Sequence, residues 1–224
     1  CILKIILCPF LCPVLLFASI GPCGGKSVAM AFLMAQLKKR GYVVFVVPET
    51  STILLNSGAV YPGMNPENRH ILLDYETEYL KLQLSLEESL LTIARIQAPL
   101  LGPPGAKVVV LFDRGTMDTK AYVTSEVWME MLSRCHVTEE ELLRRYDMVC
   151  HMTTAAKGAE AYYTLANNEA RSETLEEARA VDERTLHGWS AHSKHCVIVN
   201  ENCQSFENKL DALLQHILSF LAKA

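Results

Sequence analysis

The sequence predicts a three-layer α/β fold in which helices cover both faces of a doubly wound, five-stranded parallel sheet. Two observations predict it. Five short apolar, β-branched runs, at residues 14–19, 42–47, 107–112, 147–152 and 195–199, alternate with helical patterns, and strands joined by helical crossovers pair in parallel with both faces covered. A glycine-rich turn also stands between the first run and the first helix, where such folds bring backbone N–H groups to a ligand. With 224 residues, 50% of them hydrophobic, the chain buries a core of one large domain or two small ones. A single domain over residues 13–224 uses nearly all of this apolar content and leaves residues 1–12 as an extension of unknown role.

Charge and cysteine usage narrow the class. Lys and Arg number 21 against 25 Asp and Glu, a formal charge of -4, and the longest basic block is Lys38-Lys39-Arg40. Such a surface does not neutralise a nucleic-acid backbone, so no nucleic-acid partner is expected. The eight cysteines form no CxxC pair and accompany no His cluster at finger spacing, and Cys150 and Cys196 lie inside apolar runs. Reduced thiols in the core, and hence a cytoplasmic chain, are the expectation. The uncharged stretch 5–20 resembles a membrane signal, but it is shorter than the roughly 20 residues of a spanning helix. Pro9 and Pro13 interrupt it, and it runs into a motif that needs a buried strand in front. No transmembrane span is expected.

The first strand leads into Ile20-Gly21-Pro22-Cys23-Gly24-Gly25-Lys26-Ser27, followed by a helix with Met30, Leu33, Met34 and Leu37 on one face and Lys38, Lys39, Arg40 and Gly41 at its end. Glycines let successive N–H groups turn inward around phosphates, and the helix N-terminus favours the anion. In this phosphate-binding loop Lys26 reaches the outer phosphates and Ser27 holds Mg²⁺. The pattern GxxxxGK[ST] asks for glycine where Ile20 stands, and Gly21 is positioned to make the turn instead.

The carboxyl ends of the other strands carry the remaining chemistry. Strand two ends in Pro48-Glu49-Thr50, and strand three in Asp113-Arg114-Gly115 with Met117-Asp118 beyond. Asp113 suits a metal ligand after a buried strand, or a cap for the next helix. Glu49 suits a general base and Arg114 a clamp on an anionic acceptor, or else a partner for Asp113. A long helix is expected over residues 70–97, with a break where Ser85 and Glu88 form a capping box. The turn-rich loop opened by Tyr61 borders an acceptor pocket or is an ordinary surface connection, and residues 97–106 read as an exposed loop.

After strand four, residues 153–192 are polar and carry Lys157, Arg171, Arg179 and Arg184, as a lid would. Arg171, Arg179 and Arg184 are candidates to meet transition-state charge. Arg171 lies just outside the helix opened by Thr174 and Glu177, whereas Arg179 fits an ion pair on its face. The sequence Asn208-Lys209-Leu210-Asp211 matches NKxD but falls within an amphipathic helix, where it reads as a solvated face. Asn200, in the loop after strand five, is the expected neighbour of a purine base.

Together, Gly21-Pro22-Cys23-Gly24-Gly25-Lys26-Ser27, Pro48-Glu49-Thr50, Asp113-Arg114-Gly115-x-Met117-Asp118 and the segments 154–160 and 167–174 resemble the NadR-like AAA ATPase domain. The eukaryotic branch is similar to the TRPL translocation defect proteins. The resemblance spans residues 13–222, departing at Ile20 and at Val28, where Thr is common. It implies one P-loop NTPase domain related to thymidylate and nucleoside kinases, binding ATP or GTP with Mg²⁺. Gly21, Gly24, Gly25, Lys26 and Ser27 then correspond to the phosphate and metal site, Asp113 and Arg114 to the strand-three pair, and Arg171 to the lid arginine. The expected function is kinase-like phosphoryl transfer or hydrolysis, with a small-molecule acceptor. The alternative is a nucleotide-dependent binding module for phosphoinositide or trafficking partners, peripheral to membranes, with little turnover.

Overall fold

The fold is described from a computed structural model, over residues 14–17, 25–103, 105–160, 174–201, 203 and 205–223. The strands are β1 (Val14–Phe17), β2 (Val43–Val47), β3 (Val108–Asp113), β4 (Met148–Met152) and β5 (His195–Ile198). The helices are α1 (Lys26–Lys39), α2 (Thr50–Asn56), α3 (Arg69–Leu101), α4 (Ser125–Cys135), α5 (Glu139–Leu143), α6 (Leu175–Gly188) and α7 (Phe206–Leu221). The strands pair in parallel in the order β2-β3-β1-β4-β5.

Alternation along β3 divides the interior. Val108, Val110 and Phe112 face a core built with α3, α4 and Trp189, whereas Val109 and Leu111 face one built with α1 and α7. A strand buried on both sides is a continuous apolar run, as residues 108–112 are. The register aligns Phe17 with Asp113 and Val47 with Phe112. The carboxyl ends of β1, β2 and β3 therefore open on one edge, beside the point where the chain crosses from β3 over β1 to β4.

Three expectations about helices change. Helix α3 runs unbroken through Ser85 and Glu88, because Leu80, Gln83, Glu87, Leu91 and Ala94 keep one buried face across that point. The helix also continues to Leu101, into the segment expected to be loop. Pro99 removes one backbone donor there, only three residues from the C-cap Gly102. Helix α7 is amphipathic, yet Lys209 of its NKxD run is buried rather than solvated. The capping box of α6 forms as its sequence predicts, with the Thr174 amide donating to Glu177 Oε2 at 2.7 Å and the Glu177 amide to Thr174 Oγ1 at 3.2 Å. Among the described residues no helix is long and apolar enough to cross a membrane.

Candidate functional site

Helix α1 begins at the sheet edge where β1 ends. Its N-cap, Gly25, is left-handed with φ 78, and a Cβ there would lie 2.3 Å from the Phe206 ring. Backbone angle and close approach both require glycine. Residues Gly21, Pro22, Cys23 and Gly24, together with Ile20, lie outside the described residues. Lys26 is partly buried and Ser27 exposed at the first turn. The Lys26 ammonium lies 3.2 Å from Glu49 Oε1 and 3.0 Å from Asp113 Oδ1. A cation at a helix start is thus held by carboxylates from the ends of β2 and β3.

Arg114 completes this cluster. Its Nε donates to Glu49 Oε1, and its guanidinium lies 5.7 Å from the centre of the Tyr122 ring. Burial pushes the Glu49 carboxyl up, but Arg114 and Lys26, aided by the Thr52 hydroxyl at 2.8 Å, hold it well below the usual carboxylate range. Burial opposes the charge of Arg114, yet Tyr122, Glu49 and Asp118 raise it well above its ordinary value. Its φ of 95 is unusual for a residue with a side chain and stores about 1–3 kcal/mol of strain. Asp118 accepts from Trp189 Nε1 at 2.7 Å and from the Gly115 amide at 3.1 Å, so its carboxylate braces the turn after β3.

A buried polar chain ties this turn to α3. The Thr50 hydroxyl donates to Gln83 Oε1, Gln83 Nε2 donates to Glu87 Oε1 at 2.8 Å, and the Tyr146 hydroxyl donates to the same oxygen at 2.7 Å. Arg145 pairs with Glu87 Oε2 at 2.8 Å, and the Thr116 amide donates to the Tyr146 oxygen at 2.9 Å. Burial raises Glu87, and Arg145 opposes it. The segments following β2 and β3 are therefore held by one helix.

A second group from α3 stands beside the cluster. Glu76 is buried, and among the described residues no hydrogen bond or ion pair reaches its carboxyl. Burial pushes it up to about 8. Tyr61 donates to the Tyr122 carbonyl at 2.9 Å and meets Tyr75 edge-on at 6.0 Å. The loop carrying Tyr61 is accordingly packed against this wall. Tyr79 senses Arg114, Glu49, Asp118 and Glu76, and burial raises its hydroxyl. Sequence reading passed over Glu76, Gln83 and Glu87. Their signal was nonetheless present: with Leu73, Leu80, Leu91 and Ala94 they fall at three- and four-residue steps along one buried stripe.

The other candidates lie elsewhere. Asn200 Nδ2 donates to the carbonyls of Thr154 and Lys157 at 2.8 and 2.6 Å, and Oδ1 accepts from Lys209 at 2.6 Å. Lys209 also donates to the Thr153 carbonyl at 2.7 Å, and burial lowers its ammonium to about 8. This pair clamps together the loops that leave β4 and β5. Arg179 pairs with Glu160 at 2.9 Å, and Arg184 donates to the Ala121 carbonyl at 2.7 Å. Arg171 lies outside the described residues. No group of three His, Cys, Asp or Glu that would hold a metal occurs among the described residues.

No curated protein matches the chain. Among solved structures, a deoxyadenosine kinase from M. mycoides with bound dCTP is similar, with 12% identity, a TM-score of 0.48, and coverage of 92% of this chain and 98% of that one. Residues 21–208 match the AAA domain family, and the chain belongs to that family.

Proposed function

We propose that the chain is a Mg²⁺-dependent P-loop NTPase that binds a purine nucleoside triphosphate, ATP or GTP, and catalyses kinase-like phosphoryl transfer or hydrolysis. The observation that carries this reading is the placement of Lys26, at the first turn of α1 and within 3.2 Å of two strand-end carboxylates. A triphosphate at the helix N-terminus draws that ammonium away from Glu49 and Asp113 by offering a denser negative charge. Residues 13–224 act as one nucleotide-binding domain, with residues 153–192 as its lid and Arg171 as the lid arginine.

Residue roles follow from position. Gly21, Pro22, Cys23, Gly24 and Gly25 cradle the phosphates, and Lys26 neutralises charge on the transferred group. Ser27 and Asp113 offer a hydroxyl and a carboxylate, the hard oxygen donors that Mg²⁺ takes together with water and phosphate oxygens. That ion, when bound, neutralises charge between the phosphates. Glu49, released by Lys26 but kept in place by Arg114, accepts the acceptor's proton, and Arg114 orients the acceptor. Tyr61, Glu76 and Tyr79 border the acceptor's space, and Asn200 borders the base.

A second reading rests on Glu49 itself. A carboxylate committed to ion pairs with Lys26 and Arg114 is a weak base, which favours a nucleotide-dependent binding module whose partners, including phosphoinositide or trafficking partners, sense the bound state. Calorimetry with ATP and GTP tests the shared part: Lys26→Ala is expected to lose at least about 100-fold in affinity, roughly 2.7 kcal/mol. Unchanged affinity overturns both readings. A coupled turnover assay with a panel of nucleosides separates them. Acceptor-stimulated turnover that Asp113→Asn abolishes supports the enzyme, and tight binding without turnover supports the module.

A further inference from the structure

Cys150 of β4 and Cys196 of β5 stand directly opposite one another in the parallel register, with their sulfurs 3.2 Å apart in a thiol–thiol hydrogen bond. Neighbouring strands lie about 4.7–4.9 Å apart, inside the roughly 4.4–6.8 Å that a disulfide spans between Cα atoms. Closing the sulfurs to a bond of about 2.05 Å therefore needs side-chain rotation and little else. The two thiols differ in access. Cys150 is 1% exposed, whereas Cys196 is partly exposed and lines a cleft of about 460 Å³ between β5 and α7. Lys194, His216 and Lys223, all exposed, surround this cleft, and among the described residues no acidic one lines it. The Lys194 ammonium lies 4.8 Å from the centre of the Phe220 ring, which lines the cleft as well. None of these residues belongs to the nucleotide site.

We propose that Cys196 is a thiol-modification site that exchanges with a small anionic disulfide of the glutathione class seated in this cleft, and that Cys150 resolves the adduct into a Cys150–Cys196 disulfide. The thiol pairing lowers Cys196, while the same pairing and then burial raise Cys150. The accessible sulfur is thus also the one that ionises first, as an attacking thiol requires. In the first step the Cys196 thiolate attacks one sulfur of the small disulfide, the S–S bond of the reagent breaks, and one thiolate leaves. In the second, Cys150 loses its proton to the departing thiolate or to water and attacks the Cys196 sulfur, expelling the second thiolate. The protein dithiol gives up two electrons and two protons, and the small disulfide is reduced to two thiols. The resulting bond joins residues 46 positions apart, so the whole α6 crossover falls within the closed loop.

The test uses the reduced full chain, with oxidised glutathione and the cationic disulfide cystamine compared in parallel at low salt and at 1 M salt. Peptide mapping without reductant reads the products over time. A linked Cys150–Cys196 peptide is expected, and Cys150→Ala stops at a mixed disulfide on Cys196, whereas Cys196→Ala accumulates no adduct at Cys150. The rate with oxidised glutathione, relative to that with cystamine, is expected to be about tenfold higher at low salt than at high salt, because the cationic rim draws in the anion and salt screens it. Lys194→Glu with Lys223→Glu removes that salt effect. Absence of the linked peptide in the unmodified chain overturns the proposal, as does an adduct at Cys150 in Cys196→Ala. A rate ratio unaffected by salt overturns it too.

Discussion

Single side chains in this site are defined by what surrounds them more than by their type. Glu49 and Glu76 are both buried glutamates, yet one is held well below the ordinary value of 4.5 and the other is pushed up to about 8. The difference lies in their partners: Glu49 touches two cations, and among the described residues no cation reaches Glu76. Folding therefore becomes pH-linked at Glu76. Between 4.5 and about 8 the folded chain holds a proton that the unfolded chain has released, so this group makes stability fall as pH rises through that window. Glu76→Gln removes the titration while keeping the shape. Denaturant unfolding is expected to find the variant about equal to the unmodified chain near pH 5 and on the order of 2–4 kcal/mol more stable at pH 8. A difference that stays constant with pH would refute this.

At the scale of elements, helix α3 decides how the strand-end loops are held. Its stripe buries Gln83 and Glu87 among leucines, and these reach Thr50, Tyr146 and Arg145. Tyr146→Phe keeps the ring packed against Phe112 and Trp189 but removes the oxygen that serves both Glu87 and the Thr116 amide. Two buried polar groups then lose a partner, at a cost of about 1–3 kcal/mol. Arg134→Ala breaks two exposed pairs, to Asp74 and Glu130, and is expected to cost no more than about 1 kcal/mol. Thermal unfolding of the two variants checks the order, and equal losses would show that the network is not what holds the turn. Helix α3 also shows where sequence periodicity misleads. Ser85 and Glu88 have the spacing of a capping box, but a buried face that continues on both sides outweighs the local signal.

Across the whole molecule, one sheet separates two cores, and β3 contributes alternate residues to each. Neither core can lose its packing while β3 keeps its place in the other. A single cooperative transition is the expected result. Tryptophan fluorescence follows the core of Trp128 and Trp189, and pulse alkylation of buried Cys150 follows the core of α1 and α7. Coincident denaturant midpoints are expected; transitions separated along the denaturant axis would mean that residues 13–224 do not act as one unit.

The alternation of strands and helices, the strand ends bearing Glu49, Asp113 and Arg114, and the helix start bearing Lys26 were legible in the sequence because period and position along an element are local properties of the chain. The capping pair Thr174 and Glu177 likewise marked where α6 begins. Which side chains meet was decided by tertiary structure alone. The order β2-β3-β1-β4-β5 brings Glu49 and Asp113 to Lys26 across three segments far apart in sequence, and no local pattern records that distance. The buried roles of Glu76 and Lys209, and the register that sets Cys150 against Cys196, follow for the same reason: they depend on what the neighbouring element presents, and a residue's own sequence context does not contain its partner.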